Sequence, residues 1–208
     1  MKSNLRVLTL KYLLKIIAKA SKLLGYARGF FYFGKKVYVE GGVTIMGIEN
    51  IKIGSGSRIG AKTILDCSSG KIHMGNNANI SHHVTIIANQ SLVQLGNNCH
   101  VGEYSQIAAY MNNDITIGNN TLLAPFNFII SSNHGFDKND LIRNQKGFGF
   151  PILIEDDIWI AAKCTILAGS IIKKGSVVGA NSLINKKSEK KEYGIYAGSP
   201  IKLISERN

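Results

Sequence analysis

Proline and cysteine are scarce, with three of each among 208 residues. So few prolines exclude a proline-rich linker, and 22 glycines point to many tight turns between short strands. Cys67, Cys99 and Cys164 are odd in number and lack metal-ligand spacing, so they read as reduced, buried residues of a cytoplasmic protein. Acidic side chains are missing from residues 1–36, which hold nine of the 25 Lys/Arg. The remainder carries 16 basic against 13 acidic residues and is nearly neutral. Basic character confined to one end argues against nucleic-acid binding spread over the fold. No apolar run reaches membrane-spanning length, and no signal-peptide pattern is present. The G-x-S-x-G, H-E-x-x-H and G-x-x-x-x-G-K-[ST] motifs are absent too. The length allows one domain with a real core plus a short appendage.

What is present is a period of six. Aliphatic residues stand at Ile53, Ile59 and Leu65; at Met74, Ile80 and Ile86; at Leu95, Val101 and Ile107; and at Ile117, Leu123 and Ile129. A last run adds Ile154, Ile160, Ile166, Ile172, Val178 and Ile184. Val39 and Ile45 begin an earlier, less regular coil. Tiny residues often follow, as at Gly54, Gly60, Gly75, Ser81 and Gly102, and are expected to let the chain turn sharply. A helix would repeat near 3.6 and a sandwich strand near 2. Six suits a short strand that points one side chain inward before a corner. Three such sides close a triangular coil of eighteen residues, and coils stack on an aliphatic core. Each re-phasing of the period comes after three hexads, as expected for insertions at corners. The predicted fold is an all-β parallel β-helix over 37–204.

Residues 1–36 form a separate expectation, an amphipathic helix with a basic face. Lys11, Lys15, Lys19 and Lys22 make one stripe, and Leu10, Leu13, Leu14, Ile17 and Leu24 occupy much of the rest. The apolar face is expected either on the protein body or a neighbouring subunit, or on an anionic membrane surface. Phe30, Phe31, Tyr32 and Phe33 suit both.

Between Ile129 and Ile154 the chain spends 25 residues where six would continue the pattern. This insertion, about 131–151, leaves the solenoid at no cost to the core, which suggests function. His134 lies near its start, in Ser131-Ser132-Asn133-His134-Gly135-Phe136-Asp137. Imidazole there suits proton transfer near neutral pH, although an exposed loop histidine would look the same. Asp137 could orient the loop, orient the imidazole or simply be solvated.

These hexads occur in order with Asn133-His134-Gly135-Phe136-Asp137, Asp157-Ile158-Trp159-Ile160, Val178-Gly179-Ala180-Asn181 and Ala197-Gly198-Ser199-Pro200. The combination resembles the hexapeptide-repeat, left-handed β-helix acyltransferases, in the branch of maltose, galactoside and capsular polysaccharide O-acetyltransferases. The resemblance covers about residues 50–204. It implies a homotrimer with active sites between prisms. It also implies direct acetyl transfer from acetyl-CoA to a sugar hydroxyl, with His134 as general base and no metal. It gives Trp159 a place at the thioester end, against the alternative of packing at a subunit edge. Ala162, Ala180, Asn185 and Lys186 match its CoA-binding positions. Lys187, Lys190 and Lys191 would also suit phosphate contact. Glu155 and Ala161 replace glycines of the family pattern, and Ala168 replaces a proline. Glu103-Tyr104-Ser105 offers no asparagine where the sugar acetyltransferases carry one. The acceptor is expected to be a surface polysaccharide or its lipid-linked precursor, with possible peripheral contact at the inner membrane face. The competing functions are N-acetylation of a nucleotide-linked amino sugar and a non-catalytic membrane-associated scaffold. A hexad zinc enzyme is disfavoured, because His73, His82, His83, His100 and His134 lack its ligand spacing. His82 and His83 read as surface turn residues.

Overall fold

The computed structural model describes residues 2–187 and 191–208, except the side chains of 2–10 and of Tyr12. Lys190 and the Leu10 side chain therefore lie outside the described residues. After one long helix, α1 (Lys2–Phe33), the chain runs as short parallel strands wound into a triangular solenoid of about seven turns.

All eighteen hexad aliphatics are buried, none more than 5% exposed. They also stack in register. Leu65, Ile86, Ile107, Ile129, Ile166 and Ile184 lie rung over rung on one wall. Each such side chain contributes roughly 1.5–3 kcal/mol by leaving water, and the column fixes the register of its neighbours. The first wall is a nine-stranded sheet containing Tyr38–Val39, His100–Val101, Leu122–Leu123 and Trp159–Ile160. The second wall includes Gln106–Tyr110, Phe128–Ile130 and Leu183–Ile184. The third includes Ile115–Ile117, Ile152–Ile154 and Ile171–Ile172. Two strands, Ile64–Met74 and Thr85–Leu95, bend without interruption from the second wall to the third. The re-phased positions of the repeat all lie at this one corner, which is also where the large loop leaves.

The small residues after the aliphatics have a different cause from the one expected. They are not the turn apices. A Cβ on Gly54 would lie 2.4 Å from the Asn76 nitrogen of the next coil, and one on Gly102 would lie 2.5 Å from the Ala124 carbonyl carbon. The constraint is close stacking of backbone on backbone. Positive φ falls instead on Asn77, Asn98 and Asn120 at the corner between walls three and one. Their neighbours form a ladder: Asn97 Oδ1 accepts from Asn76 N–H and Asn119 Oδ1 from Asn97 N–H, both at 2.8 Å. Glu155, where the resemblance implies a glycine, bridges coils by accepting from Lys173 Nζ (2.9 Å) and Lys174 N–H (2.8 Å). The Lys173 hydrogen bond holds its carboxyl below the usual range despite partial burial.

The three cysteines are buried and free, as expected. Burial, with help from Asp66 and Glu49, pushes the Cys67 thiol up to about 11, where little nucleophilic thiolate forms. At the C-terminal end, Lys202–Glu206 pairs antiparallel with Gly194–Ala197 and covers the last edge of the first wall.

α1 closes the opposite end, but not with its apolar face. Gly25 and Gly29 abut the first strand; a Cβ on Gly29 would meet Val37 O at 1.7 Å, and one on Gly25 would meet the Tyr38 ring at 2.2 Å. Arg28 donates to Val39 O at 2.8 Å. At 3.6 residues per turn, Gly25 and Gly29 continue the stripe of Lys11, Lys15 and Lys22. Leu13, Ile16, Ile17, Leu24, Leu23 (73% exposed) and Phe31 (83%) lie on the other side. The expectation that this apolar face packs on the protein body therefore fails for the chain's own prism. No described helix is long and apolar enough to cross a membrane.

Candidate active site

The large loop is anchored at a stitched neck. Ser132–Asn133 pairs antiparallel with Phe148–Gly149. Beneath it, buried Ser131 accepts the Phe150 N–H on its carbonyl (3.0 Å) and the Tyr110 N–H on its hydroxyl (3.0 Å). A side chain on Gly149 would strike Ser131 O at 2.4 Å, so the two strands of the neck approach as closely as backbone allows.

His134 is the first residue beyond this neck and is exposed. Its Nδ1 lies 3.1 Å from Gly135 O. A carbonyl can only accept, so this contact favours the tautomer with hydrogen on Nδ1. Nε2 then keeps its lone pair and can take a proton.

Gln145 clamps the loop from its far side. Its Oε1 accepts the Asp137 N–H at 2.6 Å, and its Nε2 donates to Asp137 O and Asp140 O at 2.8 and 2.9 Å. The Asp137 carboxylate accepts from Asn139 N–H at 2.8 Å. Among the roles open to Asp137, the structure shows it holding the loop. No residue pattern pointed to Gln145, since its partners come from the fold of the loop. Phe136, Phe148 and Phe150 form a run of ring contacts, each step 6.2 Å between centroids. Lys186 Nζ lies 4.1 Å from the Phe150 ring centroid.

Trp159 is half exposed on the first wall, paired with Leu122 and Val177. The loop leaves the corner between walls two and three, which faces away from wall one across the prism. Within one chain, therefore, Trp159 and the neck of the His134 loop stand on opposite sides. The remaining candidates divide in the same way. Ala162 and Ala180 stack at the corner between walls one and two, where Asn181 N–H donates to Ala162 O at 3.0 Å. Asn185 and Lys186 follow the last strand of wall two and share the loop's corner. A spacing of eighteen keeps Ala162 and Ala180 on one edge, whereas five residues carry the chain from Ala180 to the next edge.

The corner between walls one and two also carries a feature missed in the sequence. His83, Tyr104 and Phe126 all have positive φ. Their rings stack, His83 on Tyr104 at 4.8 Å and Tyr104 on Phe126 at 5.3 Å. The residues are 21 and 22 apart, so only the re-phased coil length reveals the column. His82, in contrast, pairs with Glu40 at 2.9 Å. Among the described residues no group of three His, Cys, Asp or Glu side chains could hold a metal ion.

Comparison with known proteins follows the architecture. The chain is 32% identical over 133 residues to the "probable macrolide acetyltransferase" of Lysinibacillus sphaericus, covering 62% of this chain and 67% of that one. It is 32% identical over 116 residues to the "putative lipopolysaccharide biosynthesis O-acetyl transferase" of Escherichia coli strain K12, covering 52% and 57%. The chain spans about half the length of the first curated relatives it matches. A crystal structure of a variant of AntD, an N-acyltransferase from Bacillus cereus, aligns with a TM-score of 0.63 at 18% identity, covering 88% of both chains. At that identity the likeness shows the fold, a left-handed parallel β-helix. No family model matches the chain.

Proposed function

Since the chain belongs to the hexapeptide-repeat acyltransferases, we propose that it is an O-acetyltransferase moving acetyl from acetyl-CoA to a sugar hydroxyl. The observation that carries this reading is His134 itself: one imidazole, tied through Nδ1 to Gly135 O, on a loop stitched to the prism. Nε2 takes the proton of the acceptor hydroxyl as its oxygen attacks the thioester carbonyl carbon. The C–S bond of the tetrahedral intermediate then breaks, and the departing sulfur takes the proton back from the imidazolium. His134 is regenerated, and CoA thiol and the acetyl ester leave.

Trp159 is assigned to placing the thioester end, and Ala162, Ala180, Asn185 and Lys186 to CoA. Because these groups lie on different edges of one prism, the reading requires a homotrimer. Each groove would then combine the loop corner of one chain with wall one of the next. Residues 37–204 are taken as the acetyltransferase domain and 1–36 as an accessory helix. Its outward apolar stripe suits peripheral binding at the inner face of a membrane, which would keep the enzyme beside a surface polysaccharide or its lipid-linked precursor.

Two measurements test this. Wild-type protein should release free thiol from acetyl-CoA with at least one member of a panel of polysaccharide repeat units. No acceptor-dependent release across the panel counts against the activity. Leu23→Ser with Phe31→Ser should reduce co-flotation of the full chain with phosphatidylglycerol-containing vesicles at least fivefold, since each exposed apolar side chain contributes about 1.5–3 kcal/mol on burial. Undiminished flotation removes the membrane role and leaves the catalytic reading intact.

A further inference from the structure

Where α1 crosses the first coil, the two enclose a cleft of about 430 Å³ lined by Lys22, Tyr26, Lys36, Tyr38, Gly56, Ser57 and Arg58. Its lining contains three cations and no acid. Arg58 is already neutralised: its guanidinium donates to Glu40, which also accepts from Ala61 N–H at 3.1 Å and faces His82. Lys22 and Lys36 have no such compensation. Among the described residues neither ammonium makes a hydrogen bond or ion pair, and both are exposed. The Tyr26 and Tyr38 rings meet edge to face at 5.3 Å, and their hydroxyls likewise have no partner among the described residues. Two tyrosines and two lysines, whose four side-chain donor groups have no protein partner among the described residues, thus line one cleft, and the two ammonium charges are uncompensated. Beside the cleft, Gly25 and Gly29 hold the helix against the first strand with no space for a side chain.

We propose that this cleft is a binding site for a phosphate or diphosphate group, separate from the acetyl-transfer site. Lys22 and Lys36 approach it from the helix and from the segment after it, supplying charge from two directions. The tyrosine hydroxyls donate to further oxygens. Ammonium groups serve well here, since a tetrahedral anion accepts point-charge donors from many angles. The cleft flanks the helix, whose apolar stripe faces away from the prism, so the phosphate can belong either to a membrane lipid headgroup or to a soluble ligand. The site does not depend on the catalytic reading, and its failure would leave that reading untouched.

The test compares wild type with Lys22→Ala/Lys36→Ala and with Lys11→Ala/Lys15→Ala, which removes the same charge from α1 outside the cleft. Inorganic pyrophosphate is titrated calorimetrically, and vesicles of phosphatidylcholine with and without phosphatidylglycerol are used for flotation. At least tenfold weaker pyrophosphate binding in the Lys22/Lys36 variant alone supports the site with a soluble ligand. Absence of pyrophosphate binding, together with anionic-vesicle binding lost at least fivefold in the Lys22/Lys36 variant alone, supports it with a lipid headgroup. Equal losses in the two variants, or binding of neither probe, overturns it, because the lysines would then contribute only diffuse charge.

Discussion

His134→Ala is expected to lower acceptor-dependent acetyl-CoA turnover by about 10²–10⁴-fold, the usual contribution of a positioned general base. The thermal midpoint should stay close to wild type. The imidazole is exposed, and its one described hydrogen bond goes to the adjacent residue, so its removal opens no cavity. Thiol release under saturating acetyl-CoA is the measurement. Turnover within threefold of wild type would remove His134 from the chemistry. Gln145→Ala separates position from chemistry: it leaves the imidazole in place but takes three hydrogen bonds from the loop. A partial loss of turnover, with KM for the acceptor rising more than kcat falls, fits a residue that only holds the loop's shape.

The largest structural effect is expected from the aliphatic column. Ile107→Ala should destabilise the protein by about 3 kcal/mol, within the 2–5 kcal/mol typical of such truncations. Ile107 is fully buried and stacked between Ile86 and Ile129. Neighbouring rungs cannot close the void without losing register with their own partners. For a chain of this size that corresponds to a midpoint lowered by roughly 6–12 °C. The contrasting change is Leu122→Ala, one residue before the buried Leu123 of the first wall. Leu122 is half exposed and should shift stability by about 0.5 kcal/mol or less. Similar shifts for both variants would contradict the inward and outward assignment of the strand residues.

The solenoid was legible because its determinant is local. An inward aliphatic every sixth residue states the wall, the corner and the coil in one short pattern, and backbone stacking repeats it. The loop was legible for the same reason, as an interruption of that pattern. The role of small residues such as Gly54 was not, because the atom that forbids a side chain there belongs to a coil about twenty residues away. The stacked column of His83, Tyr104 and Phe126 was hidden likewise, by a spacing that follows the corner insertions rather than the hexad. Amphipathicity of α1 could be read from its spacing, but not which side meets the prism. That was decided by Gly25 and Gly29, which permit contact on the lysine side and turn the apolar side outward.

Local pattern was enough for the repeat, the inward residue of each hexad and the place where one histidine leaves the prism, because each follows from neighbours a few residues apart. The clamp of Gln145 on the loop, the outward aspect of the helix and the separation of Trp159 from His134 across one prism came only with the folded coils. Those depend on which edge a residue reaches after many turns. There, contacts between distant segments, rather than local side-chain preference, set the lowest free energy.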